Sequence, residues 1–243
     1  MADDYRETGR NQDPRWQTGI ELVSDFVGSL HRRGLLPNRF PTQTTIAGPQ
    51  FRAEAPKVDL RLATFELLSR VREPSSAEQE ALRARGYTFV PVGAKSLGQV
   101  VAEHPDHFWY VNNSKRLGDY TPPAMVVALR PKLALPNGFD KSQADQLALI
   151  EAHSRDLETE FPDAKAVMLP AVAYVQADIA YVEQTGQPLF RDFYVRALDQ
   201  TDGSGVAGVG RLHPSRRLVV RGWRAHGGDP NVGAVPAVVF LQK

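Results

Sequence analysis

Between Asp140 and Gly186 the sequence specifies its structure twice over, because two amphipathic patterns there flank a short apolar segment. Leu147, Ile150, Ser154, Leu157 and Phe161 recur at steps of three and four, which sets them along one face of a 3.6-residue helix. Val172, Val175, Ile179 and Val182 repeat the rule. The segment from Ala164 to Leu169 is too short for a helix, so its apolar residues before Pro170 predict a buried strand or an extended crossover. Either Asp140 with Gln143 or Ser142 with Asp145 can cap the first helix, and Glu151 with Arg155 forms an i,i+4 surface pair. His153 falls off the apolar face and reads as a surface residue.

Around this scaffold the chain divides by texture. Residues 1–14 are polar, aperiodic and broken by Gly9 and Pro14, and they predict a disordered start. Residues 15–36 hold a helix with a Trp16, Ile20, Val23, Val27, Leu30 stripe, ended by Gly34. Residues 37–57 carry Pro37, Pro41, Pro49 and Pro56 among threonines, the pattern of a linker or surface arm. Residues 58–243 then form one α+β domain. A helix is expected over Leu60–Arg72, and another begins at Ser75 or Ser76, with Ser76–Gln79 as its capping box.

A chain of 243 residues buries a sizeable core without covalent staples. It has no cysteine, which excludes disulfides, thiolate metal sites and cysteine nucleophiles. The acidic, polar first residues do not resemble a signal peptide, and no run approaches the roughly 18 apolar residues of a membrane span, so a cytoplasmic address and no membrane partner are expected.

The local motifs do not fix an activity. Gly93-Ala94-Lys95-Ser96 lacks the spacing of a phosphate loop, and Ser96-Leu97-Gly98-Gln99 is better read as a capping box at a strand-to-helix turn. His104-Pro105-Asp106-His107 tempts a metal reading, but Pro105 rules out a regular helix through the pair and no second cluster supplies ligands, so a solvated turn is expected. The sequence thus implies neither cofactor nor metal. Phe108–Val111 and Ala124–Leu129 read as strands, with Lys132–Leu135 continuing the second.

After Gly186 short β-branched and aromatic runs alternate with turn residues. Phe193–Leu198, Val206–Gly210, Arg217–Trp223 and Ala234–Leu241 predict a four-stranded antiparallel meander. The fold class expected is therefore α+β: N-terminal helices, then two amphipathic helices packed on a mainly antiparallel sheet with a C-terminal meander. On the third strand Arg217, Val219 and Arg221 share one face, and Leu218, Val220 and Gly222 the other.

Charge follows the same division. Asp140–Gly186 carries three Lys/Arg against nine Asp/Glu, a net of −6, whereas Gln187–Lys243 carries eight against four, a net of +4. Two readings of the basic tail stand: its arginines pair with the acidic helices, or they form an anion-binding face. For the second, Arg211, His213, Arg217, Arg221, Trp223 and Arg224 are the candidate ligand-binding residues. Guanidinium groups take phosphate or carboxylate by paired hydrogen bonds, and a tryptophan stacks on a ring. The function expected is a non-enzymatic binding protein for an anionic ligand, nucleic acid or an acidic protein surface. The alternative is a cysteine-free hydrolase or transferase whose His/carboxylate acid–base residues are assembled from separate segments, for instance His213 or His226 with a helix carboxylate. The sequence leaves the oligomeric state open.

Overall fold

The computed structural model describes residues 60–112, 115–118, 120–202 and 205–242. The expected N-terminal segment, helix and Pro/Thr-rich linker lie outside these residues. The described chain is α+β, with two five-stranded sheets. Its elements run α1 (Leu60–Leu68), β1 (Val71–Arg72), α2 (Ser76–Ala84), β2 (Thr88–Val92), α3 (Leu97–Glu103), β3 (Phe108–Val111), α4 (Lys115–Gly118) and β4 (Met125–Leu129). They continue as α5 (Gln143–Glu158), β5 (Ala164–Val167), α6 (Ala171–Thr185), β6 (Tyr194–Gln200), β7 (Gly205–Gly210), β8 (Leu218–Arg224), β9 (Val232–Gly233) and β10 (Ala237–Leu241).

The two organising helices form as the periodicity predicts. Ile150, Ser154 and Leu157 are buried on α5, whose N-cap Ser142 makes a reciprocal capping box with Asp145. Helix α6 ends at Gly186, whose φ of 69° is the left-handed C-terminal conformation that glycine tolerates. The intervening segment is strand β5. Ser96 and Gln99 cap α3 as expected.

In the first sheet β10 is central and every pairing is antiparallel. Val238 opposes Ala166 of β5 and Ala128 of β4, so these two strands lie on opposite sides of it. This differs from the expected meander, in which Ala234–Leu241 followed the third strand. The reason lies in its composition: Ala237–Leu241 is apolar at every position and requires burial on both faces, which an exposed meander strand lacks. Ala237 and Val239 enter the core shared with α6, while Val238 and Phe240 enter the second core, beneath α5.

The second sheet has the order β3-β8-β7-β6-β9. Strands β6, β7 and β8 are the expected antiparallel meander, and β3 and β9 flank it in parallel. Helix α6 lies between the sheets, packed on β2 of the first and on β6 and β7 of the second. Phe193, Val195, Ala207, Val209, Leu218 and Val220 face this shared core.

Smaller departures have local causes. The helix expected to Arg72 stops at Leu68, because Val71 and Arg72 pair with Leu241 and Phe240 of β10. The α2 capping box forms one residue earlier than expected, with Ser75 and Glu78. A carboxylate at that position also takes the Arg72 guanidinium at 2.8 and 3.0 Å. Residues 132–135 form no strand, and Lys132 takes a φ of 61°. His153 is half-buried and bonds the Tyr87 hydroxyl at 2.7 Å, with burial and then Arg130 pulling it below its ordinary value. Among the described residues no helix is long and apolar enough to cross a membrane.

The Arg72–Glu78 pair has a pH signature. Arg72, with help from the Ser75 amide, holds the Glu78 carboxyl at about 2, against an ordinary 4.5. A depressed folded-state value contributes stability above the unfolded value, and that contribution is lost as pH falls from 4.5 towards about 2. Carboxyl-carbon NMR is expected to find the Glu78 midpoint near 2, and Arg72→Ala to return it towards 4.5. A native midpoint already at 4.5 would refute the pairing.

Candidate functional site

The second sheet has one face on the shared core; on its outer face Tyr194, Val219 and Val232 form a small buried cluster beside Trp223, and the register says which residues line that face. Tyr110 of β3 pairs with Val219 of β8, Val219 with Gly210 of β7, Gly210 with Tyr194 of β6, and Tyr194 with Val232 of β9. Directly paired residues share a face, so these form one row across all five strands. The next row is Arg221, Gly208 and Arg196, and beyond it Trp223 opposes Val206. The charged face expected on β8 is therefore real for Arg221, with Val219 beside it.

Glycine is what turns these rows into a floor. A Cβ on Gly208 would stand 2.6 Å from Trp223 Cζ3, because the indole lies across β7 at that point. A Cβ on Gly210 would meet the Phe193 carbonyl oxygen first and would stand 2.8 Å from both the Cα and the Cδ1 of Tyr194. The two rings meet with centroids 4.6 Å apart. Trp223 Nε1–H donates to Asp229 at 3.1 Å, and the Arg221 guanidinium lies 4.6 Å from the indole centroid. Burial raises the Tyr194 hydroxyl above its ordinary value, and Arg221, which bonds it, opposes the rise.

A β-bulge builds the wall. The pairing of β3 shifts between Phe108 and Tyr110, which makes Trp109 the extra residue. Phe108 and Val111 therefore face the core while the consecutive Trp109 and Tyr110 stay 57% and 48% exposed. His213 stacks on Trp109 at 4.3 Å and 18°. Its Nδ1 accepts the Ser215 amide N–H at 3.1 Å, which leaves the proton of a neutral ring on Nε2. Floor and wall enclose an open cleft of about 610 Å³ whose lining also includes Arg224, Thr201 and Asp202.

Two buried arginines hold the cleft's borders. Arg196 is buried without a carboxylate in its hydrogen-bond set. Its Nε donates to Gln146 at 2.9 Å, and its other nitrogens donate to the carbonyls of Lys141, Arg224 and Gly227 at 2.9–3.1 Å. Burial lowers its affinity for the proton, and Asp229 opposes that. The result ties the N-terminal end of α5 to the loop that carries Asp229. Arg211 donates to the fully buried Asp178 of α6 at 2.7 Å and to the Arg216 carbonyl at 2.9 Å. Burial pushes the Asp178 carboxyl upward, while Arg211 and the amides of Phe190 and Leu189 pull it down. This pair anchors the loop that presents His213.

Of the expected ligand-binding residues, the cleft brings together His213, Arg221, Trp223 and Arg224. Arg211 is buried against Asp178, so for this residue the pairing with an acidic helix holds. Arg217 is exposed ahead of β8 and lies outside the lining. His226 is exposed and also outside it, as are the carboxylates of α5. Sequence reasoning missed Trp109, Tyr110 and Tyr194. The adjacent Trp109-Tyr110 pair was the available signal, since two consecutive large aromatics break strict alternation unless a bulge turns both outward.

Elsewhere, Gly93 donates to Gln176 and Lys95 pairs with Glu103, so the β2–α3 turn is structural. Among the described residues no group of three or more histidine or carboxylate side chains is placed to hold a metal ion. Compared with protein-family models, curated proteins and solved structures, the chain matches none.

Arg196→Ala is expected to cost on the order of 3 kcal/mol in chemical denaturation, because Gln146 and three carbonyls lose their donor in a buried site. Arg221→Ala, on the exposed face, is expected to stay within about 0.5 kcal/mol of the parent. Equal stabilities for the two variants would show that the buried guanidinium is not a structural tie.

Proposed function

We propose that the protein is a non-enzymatic binding module that takes an anionic ligand bearing a planar ring on the outer face of its C-terminal sheet. One observation carries the reading: ring faces and exposed guanidinium groups line the same open cleft. Trp109, Tyr110 and Trp223 offer flat apolar surface, and a ring seated there is desolvated against them. Arg221 and Arg224 offer forked donors that match phosphate or carboxylate. The volume of about 610 Å³ falls inside the range of small-ligand sites, roughly 300–1,000 Å³. In the lining two guanidinium groups, Arg221 and Arg224, stand against one carboxylate, Asp202, and the Asp229 oxygens accept from the Trp223 indole and the Asn231 amide.

The enzymatic alternative has less support. His213 and Asp202, from separate segments, share the lining, so a His/carboxylate set is present there, while His226 and the carboxylates of α5 lie outside it. His213 also has its Nδ1 committed to Ser215 and one ring face to Trp109.

Adenosine 5′-monophosphate is a suitable probe because it joins a flat base to a phosphate. Titration into the full chain is expected to quench tryptophan fluorescence saturably, with adenosine at least about tenfold weaker, in line with the loss of charge-assisted bonds. Arg221→Ala should remove the preference for the phosphate, and Trp223→Ala should remove most of the binding, with unchanged circular dichroism. Equal response to nucleotide and nucleoside, or binding indifferent to both substitutions, would overturn the proposal.

A further inference from the structure

We infer that the ligand is an unpaired nucleic-acid strand, held with two neighbouring bases on separate ring platforms and the phosphates against Arg221 and Arg224. This rests on the ligand-binding reading above and narrows it to one class.

The platforms are distinct in the register. Tyr110 stands in the row of Val219 and Gly210, while the Trp223 indole folds back over Gly208, in the row of Arg221. The two rows are two residues apart along β8, roughly 7 Å at the rise of a strand, and Tyr110 on β3 stands two strands away from Gly208 on β7, roughly a further 10 Å across the sheet. Bases stacked in a duplex follow one another at roughly 3.4 Å, so neighbouring bases reach both platforms only when the strand is splayed and unpaired. A lone nucleotide fills one platform and leaves the other bare. Recognition of splayed bases by stacked aromatic rings and guanidinium planes, with cations on the backbone, is the mode of single-strand binding.

Each platform already shows what such stacking looks like. Trp109 is sandwiched on one side by His213 at 4.3 Å, and 57% of the residue still faces solvent. Arg221 is exposed above the Trp223 indole, so its guanidinium plane extends that stack and carries the charge a phosphate seeks. The bulge at Trp109 matters here, because without the extra residue Trp109 and Tyr110 would point to opposite faces and the second platform would lose a ring. The cleft is open rather than enclosed, as a passing strand requires.

The test is fluorescence anisotropy of labelled poly-dT and poly-U strands of about eight nucleotides, titrated with the full chain at several salt concentrations. Adenosine 5′-monophosphate, a duplex of equal length and an inorganic polyphosphate serve as competitors. Single strands are expected to bind at least about tenfold tighter than the mononucleotide and than the duplex, with affinity falling as salt rises. Whether DNA or RNA is preferred distinguishes the two sources of the same chemistry, and either supports the inference. Trp109→Ala is expected to lower strand affinity about tenfold and mononucleotide affinity by less than that, with Trp109→Phe restoring most of the loss. Mononucleotide binding without a gain for the strand, or strand binding untouched by Trp109→Ala, would overturn the inference and leave the ligand-binding reading standing. Polyphosphate competing as well as the strands do, with neither Trp109 nor Trp223 mattering, would sink both readings.

Discussion

From Ala171 to Ile179, helix α6 has no solvent face, and the arrangement of both sheets depends on how that helix is held. Apolar packing alone does not fix a helix buried on all sides, because it leaves rotation and slip about the axis weakly determined. Polar side chains supply the missing constraint. Gln176 accepts from the Gly93 amide at 2.9 Å and donates to the Lys95 carbonyl at 3.3 Å, which ties the helix to the turn after β2. Asp178 accepts from Leu189, Phe190 and Arg211, which ties it to the end of β7. Asp199 of β6 accepts from the Ala171 amide, placing a carboxylate where the helix dipole favours an anion. Each tie leads to a different neighbour, so a shift of the helix breaks several buried hydrogen bonds at once.

This explains how a core helix comes to set the geometry of a surface cleft. Arg211 is the last link: one end lies on Asp178 and the other closes the 211–216 loop through the Arg216 carbonyl. His213 hangs from that loop against Trp109, which itself is fixed by the bulge on β3. On the opposite border Arg196 performs the same office for the loop that holds Asp229 and, through it, the Trp223 indole. Arg211, which looks in sequence like a ligand-binding cation, therefore acts as a buried tie, as Arg196 does, whereas Arg221 stays on the sheet's outer face.

Much of this was legible in the sequence wherever apolar periodicity speaks. The apolar face of α5, the helical course of α6, the strand between them, the β6–β8 meander and the outward side of Arg221 all follow from spacing. What periodicity cannot read is polar burial. Asp178 and Gln176 look like solvated positions on a helix with an apolar stripe, and Arg211 is indistinguishable by type from Arg221. Strand β10 was legible in kind but not in place, since its fully apolar run announces burial without naming the sheet that provides it. The site was half legible for a similar reason. His213, Arg221, Trp223 and Arg224 are near one another in sequence, whereas Trp109, Tyr110 and Tyr194 reach the cleft only through strand pairing across the sheet.

The outer face itself argues against a purely structural role. Glycine inside a strand weakens it by roughly 0.5–1 kcal/mol relative to alanine, and a bulge disrupts the ladder locally. Strand β7 nevertheless carries Gly208 and Gly210 on its outer face, in the middle of the meander, and the bulge falls on β3, the edge strand beyond β8. Optimised for stability alone, the position under Trp223 would hold a β-branched residue that packs against its neighbours, whereas Gly210 is required by the close approach of the Phe193 carbonyl. The indole laid over Gly208 recovers part of that packing, and the recovery leaves aromatic surface facing a cleft beside the Arg221 guanidinium. Two independent departures from a stable sheet thus produce the same thing, ring surface turned towards one shared space, and a bound ring is the feature that would make both worth their cost.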